Sequence, residues 1–351
     1  MRFKPGVLSA LGAAVLFGAS TPIAKRLVGE IDPVMLAGLL YAGSGLGLAS
    51  GLLLRYVANR RFTTEFSLPR AQDVVWLAGA ILFGGVLGPV LLMVGLTSTA
   101  ASVSSLLLNL EAVFTALLAW FVFRENFDRR IALGMGLIVA AGVVLAWTPG
   151  SFAFSPGALF VAGACLCWAI DNNFTRKVAA NDVMVIAGAK GLVAGSVNIC
   201  VAIVAGAALP SPALSMVAGV VGLAGYGVSL MLFILALRAL GTARTGAYFS
   251  VAPFIGAAIA IGLQHEPLTP ALLVASALMA WGVWLHVSER HEHSHTHERL
   301  EHAHPHVHDE HHRHLHAFAW DGKEPHAHPH THPPMRHAHP HFPDIHHQHR
   351  H

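Results

Sequence analysis

The chain has 351 residues, of which 54% are hydrophobic and 12% charged, with a formal net charge of +3. A soluble domain carries about a quarter charged residues, so an ordinary water-soluble globule is excluded, and the small positive balance calls for no nucleic-acid partner. The charge is also divided: residues 1–288 hold 16 Lys/Arg against 10 Asp/Glu, whereas residues 289–351 hold 6 against 9. Cys165, Cys167 and Cys200 all lie in apolar runs, a pattern of neither a disulfide framework nor a paired-cysteine zinc site.

A helix needs about 20 mostly apolar residues to cross roughly 30 Å of hydrocarbon. Residues 1–287 supply ten such runs, near 7–27, 34–54, 74–96, 100–122, 131–148, 157–176, 183–206, 213–236, 243–263 and 270–287. The first run is followed by nine of its kind and lacks a small-residue cleavage site, so it reads as a span and not a signal peptide. Short loops rich in Lys and Arg stay in the cytoplasm. With the amino terminus inside, the inner segments hold 13 cations and the outer loops only two, Lys25 and Arg26. The expected topology is therefore a multi-pass inner-membrane protein with both termini cytoplasmic.

The body repeats itself. FGASTPIAKR from Phe17 aligns with WAIDNNFTRK from Trp168, DPVM from Asp32 with NDVM from Asn181, and residues 96–102 with 237–243; Glu125 and Glu266 close the fourth helix of each half. Five spans is an odd number, so the two halves, 1–148 and 149–287, must enter the membrane in opposite senses. The expected fold is an all-α integral membrane protein of two inverted five-helix repeats, followed by a histidine-rich tail from 288 to 351.

These repeats, the aromatic-small-Pro-Lys ending of the first helix and the stretch SLLLNLEAVFTALLAWFVFRE resemble the EamA family of the drug/metabolite transporter superfamily over residues 1–287. The resemblance implies a secondary carrier, with relatives that export amino acids, metabolites and drugs. It also implies a proline where the fourth helix of a repeat passes the central cavity. Pro253 matches in the second half, whereas the first half has Glu111 near that point.

A charge at the bilayer centre costs at least about 2.5 kcal/mol, so such residues face a partner or a wet cavity. Glu111, with Ser104 and Thr115 on its helical face, reads as a proton or cation site or else as a structural interhelical bond. Asp171, beside Asn172 and Asn173 and four residues after Cys167, offers cation coordination or neutralises Lys190, Arg176 or Lys177. Lys190 aligns with Tyr41 of the first half and pairs with Glu111 or Asp171, or binds an anionic group. Glu111, Asp171, Asn172, Lys190 and Tyr41 are thus the expected pathway residues. Gly43, Gly47 and Gly51, and Gly191 with Gly195, have the four-residue spacing of close helix contact, and Pro22 and Pro253 interrupt their spans.

Of 25 histidines, 23 lie between His291 and His351. They alternate with other residues, and 291–316 aligns with 326–351. With little apolar bulk and many prolines the tail is expected to be disordered without ligand. Its candidate metal ligands are His291, His293, His295, His297, His302, His304, His306 and His308, then His326, His328, His330 and His332. Imidazole suits zinc, nickel, cobalt or copper; a proton buffer and a neutral expansion are the competing readings. No catalytic motif is present and no cofactor is required. The favoured expectation is an exporter of a divalent transition metal coupled to protons. Its rivals are an exporter of an organic metabolite or amino acid and a metal sensor that transports nothing. The expected partners are the bilayer, a small solute or metal ion and, in a homodimer, a second copy of the chain.

Overall fold

A computed structural model describes residues 5–59, 71–123, 129–147, 154–178, 183–240, 242–287, 292–297, 300–306, 326–332 and 335–340. Residues up to 289 and from 290 onward form two separate units.

The first unit is all helix. Among the described residues nine stretches are long and apolar enough to cross a membrane, and Pro270–Leu285 is a shorter apolar tenth. The first span is Pro5–Leu27 and the second Pro33–Asn59; the fifth is Arg129–Ala146, the sixth Pro156–Val178, the seventh Val183–Val204 and the tenth Pro270–Val287. Several starts are written locally. Asp32 accepts from Val34 N at 2.9 Å and Met35 N at 3.0 Å, Ser211 Oγ from Leu214 N at 3.3 Å, and Thr269 Oγ1 from Leu272 N at 3.2 Å. Each cap precedes a proline at the first helical position, which lacks the N–H that would otherwise be orphaned.

The other four spans are interrupted, and the interruptions recur. The third runs Ala71–Ala80, the π-helical turn Ile81–Leu87 and Gly88–Ser98; the eighth runs Pro212–Gly222, the π-helical turn Leu223–Val228 and Ser229–Leu240. The fourth is split into Ala101–Leu107 and Leu110–Phe123, the ninth into Thr242–Phe249 and Ala252–Gln264. The offset that aligns Leu96 with Leu237 also aligns Asn109 with Ser250. At the first break the Asn109 amide donates to Leu106 O at 2.9 Å; at the second the Ser250 hydroxyl donates to Ala247 O at 2.8 Å. Such short polar side chains compete with the helix ladder for its carbonyls, and Pro253 withholds a further donor.

Packing obeys the same repeat. The first span packs on the eighth and ninth, and its equivalent, the sixth, packs on the third and fourth. The second and seventh pack on each other, as do the fifth and tenth. Small residues set the closest crossings: a Cβ on Gly191 would meet Gly45 Cα at 2.8 Å, one on Gly195 would meet Ala42 Cα at 2.7 Å, and one on Gly43 would strike the Gly219 backbone. The glycine spacing of the second span does not act as one stripe. Gly47 faces the Leu223 side chain and Gly51 has open space around it, because a helix crossing touches only a few turns.

The second unit holds the histidine-rich tail. The described residues form β1 (Glu292–His297), β2 (Leu300–His306), β3 (His326–His332) and β4 (Met335–Pro340). β1 pairs with β4 and β2 with β3, both antiparallel. The physical reason lies in the alternation itself, since residues at every second position suit the period of a strand, and the duplicated segments offer partners of matching length. His291 and His308 lie outside the described residues, as does Glu125.

The loop cations lead to the expectation of a cytoplasmic tail. A reporter enzyme fused after His351 is expected to be active only in its cytoplasmic form. Alkaline phosphatase activity from the same fusion would reverse the assignment.

Candidate functional site

Two charged residues of the spans, Asp171 and Lys190, meet at the third span's π-helical turn. That turn contains Gly84 and Gly85, both buried. A wider turn frees backbone carbonyls from the regular ladder, and here side chains from three other spans take them up. Gly84 O accepts from Tyr41 Oη at 2.8 Å and from Trp168 Nε1 at 3.0 Å, and Gly85 O accepts from Asn198 Nδ2 at 3.3 Å. Glycine is required at 84 by space: a Cβ there would land on the Asp171 carboxylate. At Gly85 a Cβ would lie 3.7 Å from Lys190 Cγ and 3.8 Å from Tyr41 Cε1, so this turn is the floor on which both side chains rest.

Lys190 forms an ion pair with Asp171, which also accepts from Thr175 Oγ1 at 3.0 Å. Asp171 is 6% exposed. Of the partners open to Lys190 on the sequence, the structure selects Asp171, because the sixth and seventh spans both line the π-helical turn.

One residue further along the sixth span, Asn172 points elsewhere. Its Nδ2 donates to Glu111 Oε1 at 2.8 Å and lies 3.4 Å from Thr115 Oγ1. Glu111 occupies the first turn of the second half of the broken fourth span, where a carboxylate is favoured by the helix N-terminal amides. Asn172 is exposed and Glu111 half-buried, unlike Asp171. Two adjacent carboxylate sites thus have different surroundings: Asp171 is engaged by a cation, whereas Glu111 accepts from an amide and keeps accessible surface. Of the residues expected on Glu111's face, Thr115 joins this group, and the Ser104 hydroxyl is buried without a hydrogen-bond partner among the described residues.

Tyr41, Asp171 and Lys190 therefore share one cluster, and Glu111 and Asn172 form a second beside it. Cys167 is buried next to neither as a ligand, and Cys165 Sγ lies 3.5 Å from Leu107 O. Sequence reasoning did not single out Gly84, Gly85, Trp168 as a donor, or Asn198. The signal available was the adjacent glycine pair after Phe83 within an apolar run. Among the described residues no three His, Cys, Asp or Glu side chains come together to hold a metal ion.

The EamA-like transporter family model matches the chain twice, over residues 4–147 and 155–288. A protein named as an uncharacterized transporter from Methanothermobacter thermautotrophicus is 28% identical over 300 residues, covering 81% of this chain and 87% of its own. The uncharacterized transporter YyaM of Bacillus subtilis is 23% identical over 289 residues, covering 78% of this chain and 90% of its own. A solved crystal structure superposes with a TM-score of 0.58 at 21% identity, over 80% of this chain and 95% of that one, a likeness of fold. With both halves matched, paired interruptions in the third, fourth, eighth and ninth spans, and polar residues gathered between the repeats, the chain belongs to the EamA-like transporter family, a family of multi-pass membrane transporters.

Proposed function

We propose that the protein is a proton-coupled exporter of the inner membrane, moving a small solute by alternating access about a site between its two repeats. The observation that carries this reading is the Asn172–Glu111 bond of 2.8 Å: a carboxylate in a span, held by a neutral amide and still accessible, beside a second carboxylate already neutralised by Lys190. The first exchanges protons or binds cargo; the second keeps the site assembled. Tyr41 closes the cluster from the opposite repeat.

For the cargo we favour a divalent transition metal, zinc, nickel, cobalt or copper. The support is the cytoplasmic tail with its 23 histidines. In its two strand pairs His293 stands opposite His339, His295 opposite His337, His302 opposite His330, His304 opposite His328 and His306 opposite His326. Imidazole nitrogens suit such ions, and alternating histidines supply several from one stretch. The tail then captures the ion before the body carries it. Against this stands an organic amphoteric solute, favoured by the body itself, where an amide, a phenol, a carboxylate and an ion pair meet without a metal-ligand cluster. In that case the tail regulates or buffers.

The test compares metal accumulation in cells making full-length protein, protein lacking residues 291–351, or none, at matched expression. Metal export predicts the lowest accumulation with the full chain and an intermediate level without the tail. Equal accumulation of all four metals, together with export of an organic solute from proteoliposomes, would establish the second reading.

A further inference from the structure

At the end of the bundle that the loop charges assign to the outside, the two repeats are tied together by a compact set of polar contacts. His265 follows the ninth span in the left-handed conformation, φ 55°, the one non-glycine residue with positive φ among those described. A bulky residue held there stores strain, and the geometry turns Glu266 back over the start of the fourth span. Glu266 Oε1 accepts from Ala101 N at 2.7 Å and Oε2 from Ser102 N at 2.8 Å. Next to it Gln264 Nε2 donates to Pro22 O at 2.6 Å and Arg26 Nη2 donates to Leu263 O at 3.0 Å. Lys25 Nζ donates to Leu96 O, joining the ends of the first and third spans.

The segment from Leu263 to Glu266 of the second repeat is thus fastened to the first and fourth spans of the first repeat. Every one of these bonds joins a side chain to a backbone group, and Leu263 and Leu268 beside them are exposed. The ties at this end are polar, and the half-helices that they fasten share only the smaller of two apolar clusters, the larger one spanning both repeats. The fastened helices are also set off by the breaks in their spans: Ala252–Gln264 lies beyond the break at Ser250 and Val251, and Ala101–Leu107 lies before the break at Leu108 and Asn109. Between them a Cβ on Gly256 would meet Ser105 Oγ and Gly18 O at 2.7 Å, so the half-helices approach closely there, while Leu106 and Ala257 belong to a small apolar cluster with Val103, Phe254 and Ile261 packed against it. Asn172 and Glu111 meanwhile keep accessible surface, so the site is reachable while this end is tied.

We propose that Glu266, supported by Gln264 and Arg26, is the latch of a gate at this end, and that the half-helices Ala101–Leu107 and Ala252–Gln264 part there when the carrier opens to the other side. Glu266 holds two backbone N–H groups with one carboxylate, bonds about twice as strong as neutral ones, and it is the central element of the set. Hinges at the paired breaks let the half-helices swing without unfolding the rest of each span.

Electron-spin distance measurements on the full chain test this, with Cys165, Cys167 and Cys200 replaced and spin labels at Glu30 and Leu268, both exposed. The parent should give one narrow, short distance population. Glu266→Ala should add a second, longer population several-fold above the parent's, and Glu266→Gln, which keeps one acceptor, an intermediate one. A control pair at Glu30 and Thr97, both in the first repeat, should be unchanged in all three. Distance distributions identical across parent, Ala and Gln variants would overturn the latch. Should the control pair show that the Ala variant fails to fold, the Gln variant decides by the same criterion.

Discussion

Lys190→Met is expected to lower the stability of the carrier by about 3–5 kcal/mol, the cost of leaving a buried charge without its partner. The partner is Asp171, 6% exposed and packed against Gly84. Thr175 supplies one hydrogen bond to that carboxylate at 3.0 Å, too little to replace an ammonium. The double variant Asp171→Asn with Lys190→Met should regain much of the loss, because removing both charges removes the desolvation cost together with the attraction. Thermal unfolding of detergent-solubilised protein measures both. If the single variant melts with the parent, the ion pair is not what holds the sixth and seventh spans to the π-helical turn.

Glu111→Gln should have the opposite profile, with a large effect on transport and a small one on stability. Glutamine keeps a carbonyl oxygen for Asn172 Nδ2, so the change in stability should stay within about 0.5 kcal/mol. On the proposed reading, what is lost is the group that takes up and releases a proton within the span. Transport driven by a pH gradient in proteoliposomes should therefore fall to the background of empty vesicles, while exchange of unlabelled for labelled solute across the same membrane persists. Gradient-driven transport at the parent's rate would make Glu111 a packing group. Loss of both activities in a folded variant would place it in solute binding instead of proton coupling.

The ten spans were legible in the sequence because the bilayer imposes a local rule: each segment must satisfy its own backbone and offer lipid an apolar surface. The starts at Asp32, Ser211 and Thr269 were equally local, since cap and proline are neighbours in the chain. The two repeats could be aligned from FGASTPIAKR and WAIDNNFTRK, and an odd number of spans in each carried the inversion with it. The charged residues within the spans could also be named, because a charge in an apolar run stands out whatever the fold.

Which of them meet was decided only by tertiary structure. Lys190 lies 19 residues from Asp171, and Asn172 lies 61 from Glu111, and nothing in the local pattern ranks one partner over another. The choice follows from the crossing of the sixth and seventh spans at the third, where Gly84 leaves space for the carboxylate. Glu266 was visible in the sequence as the acid closing the fourth helix of its half. That it reaches 165 residues back to Ala101 follows from one left-handed residue, His265, and from the way the ninth span packs on the fourth. In the tail, composition predicted a chain too polar to bury a core, and among the described residues its alternating histidine segments are paired as strands. Composition governs what can be buried, but strand pairing is satisfied through backbone hydrogen bonds and needs no core.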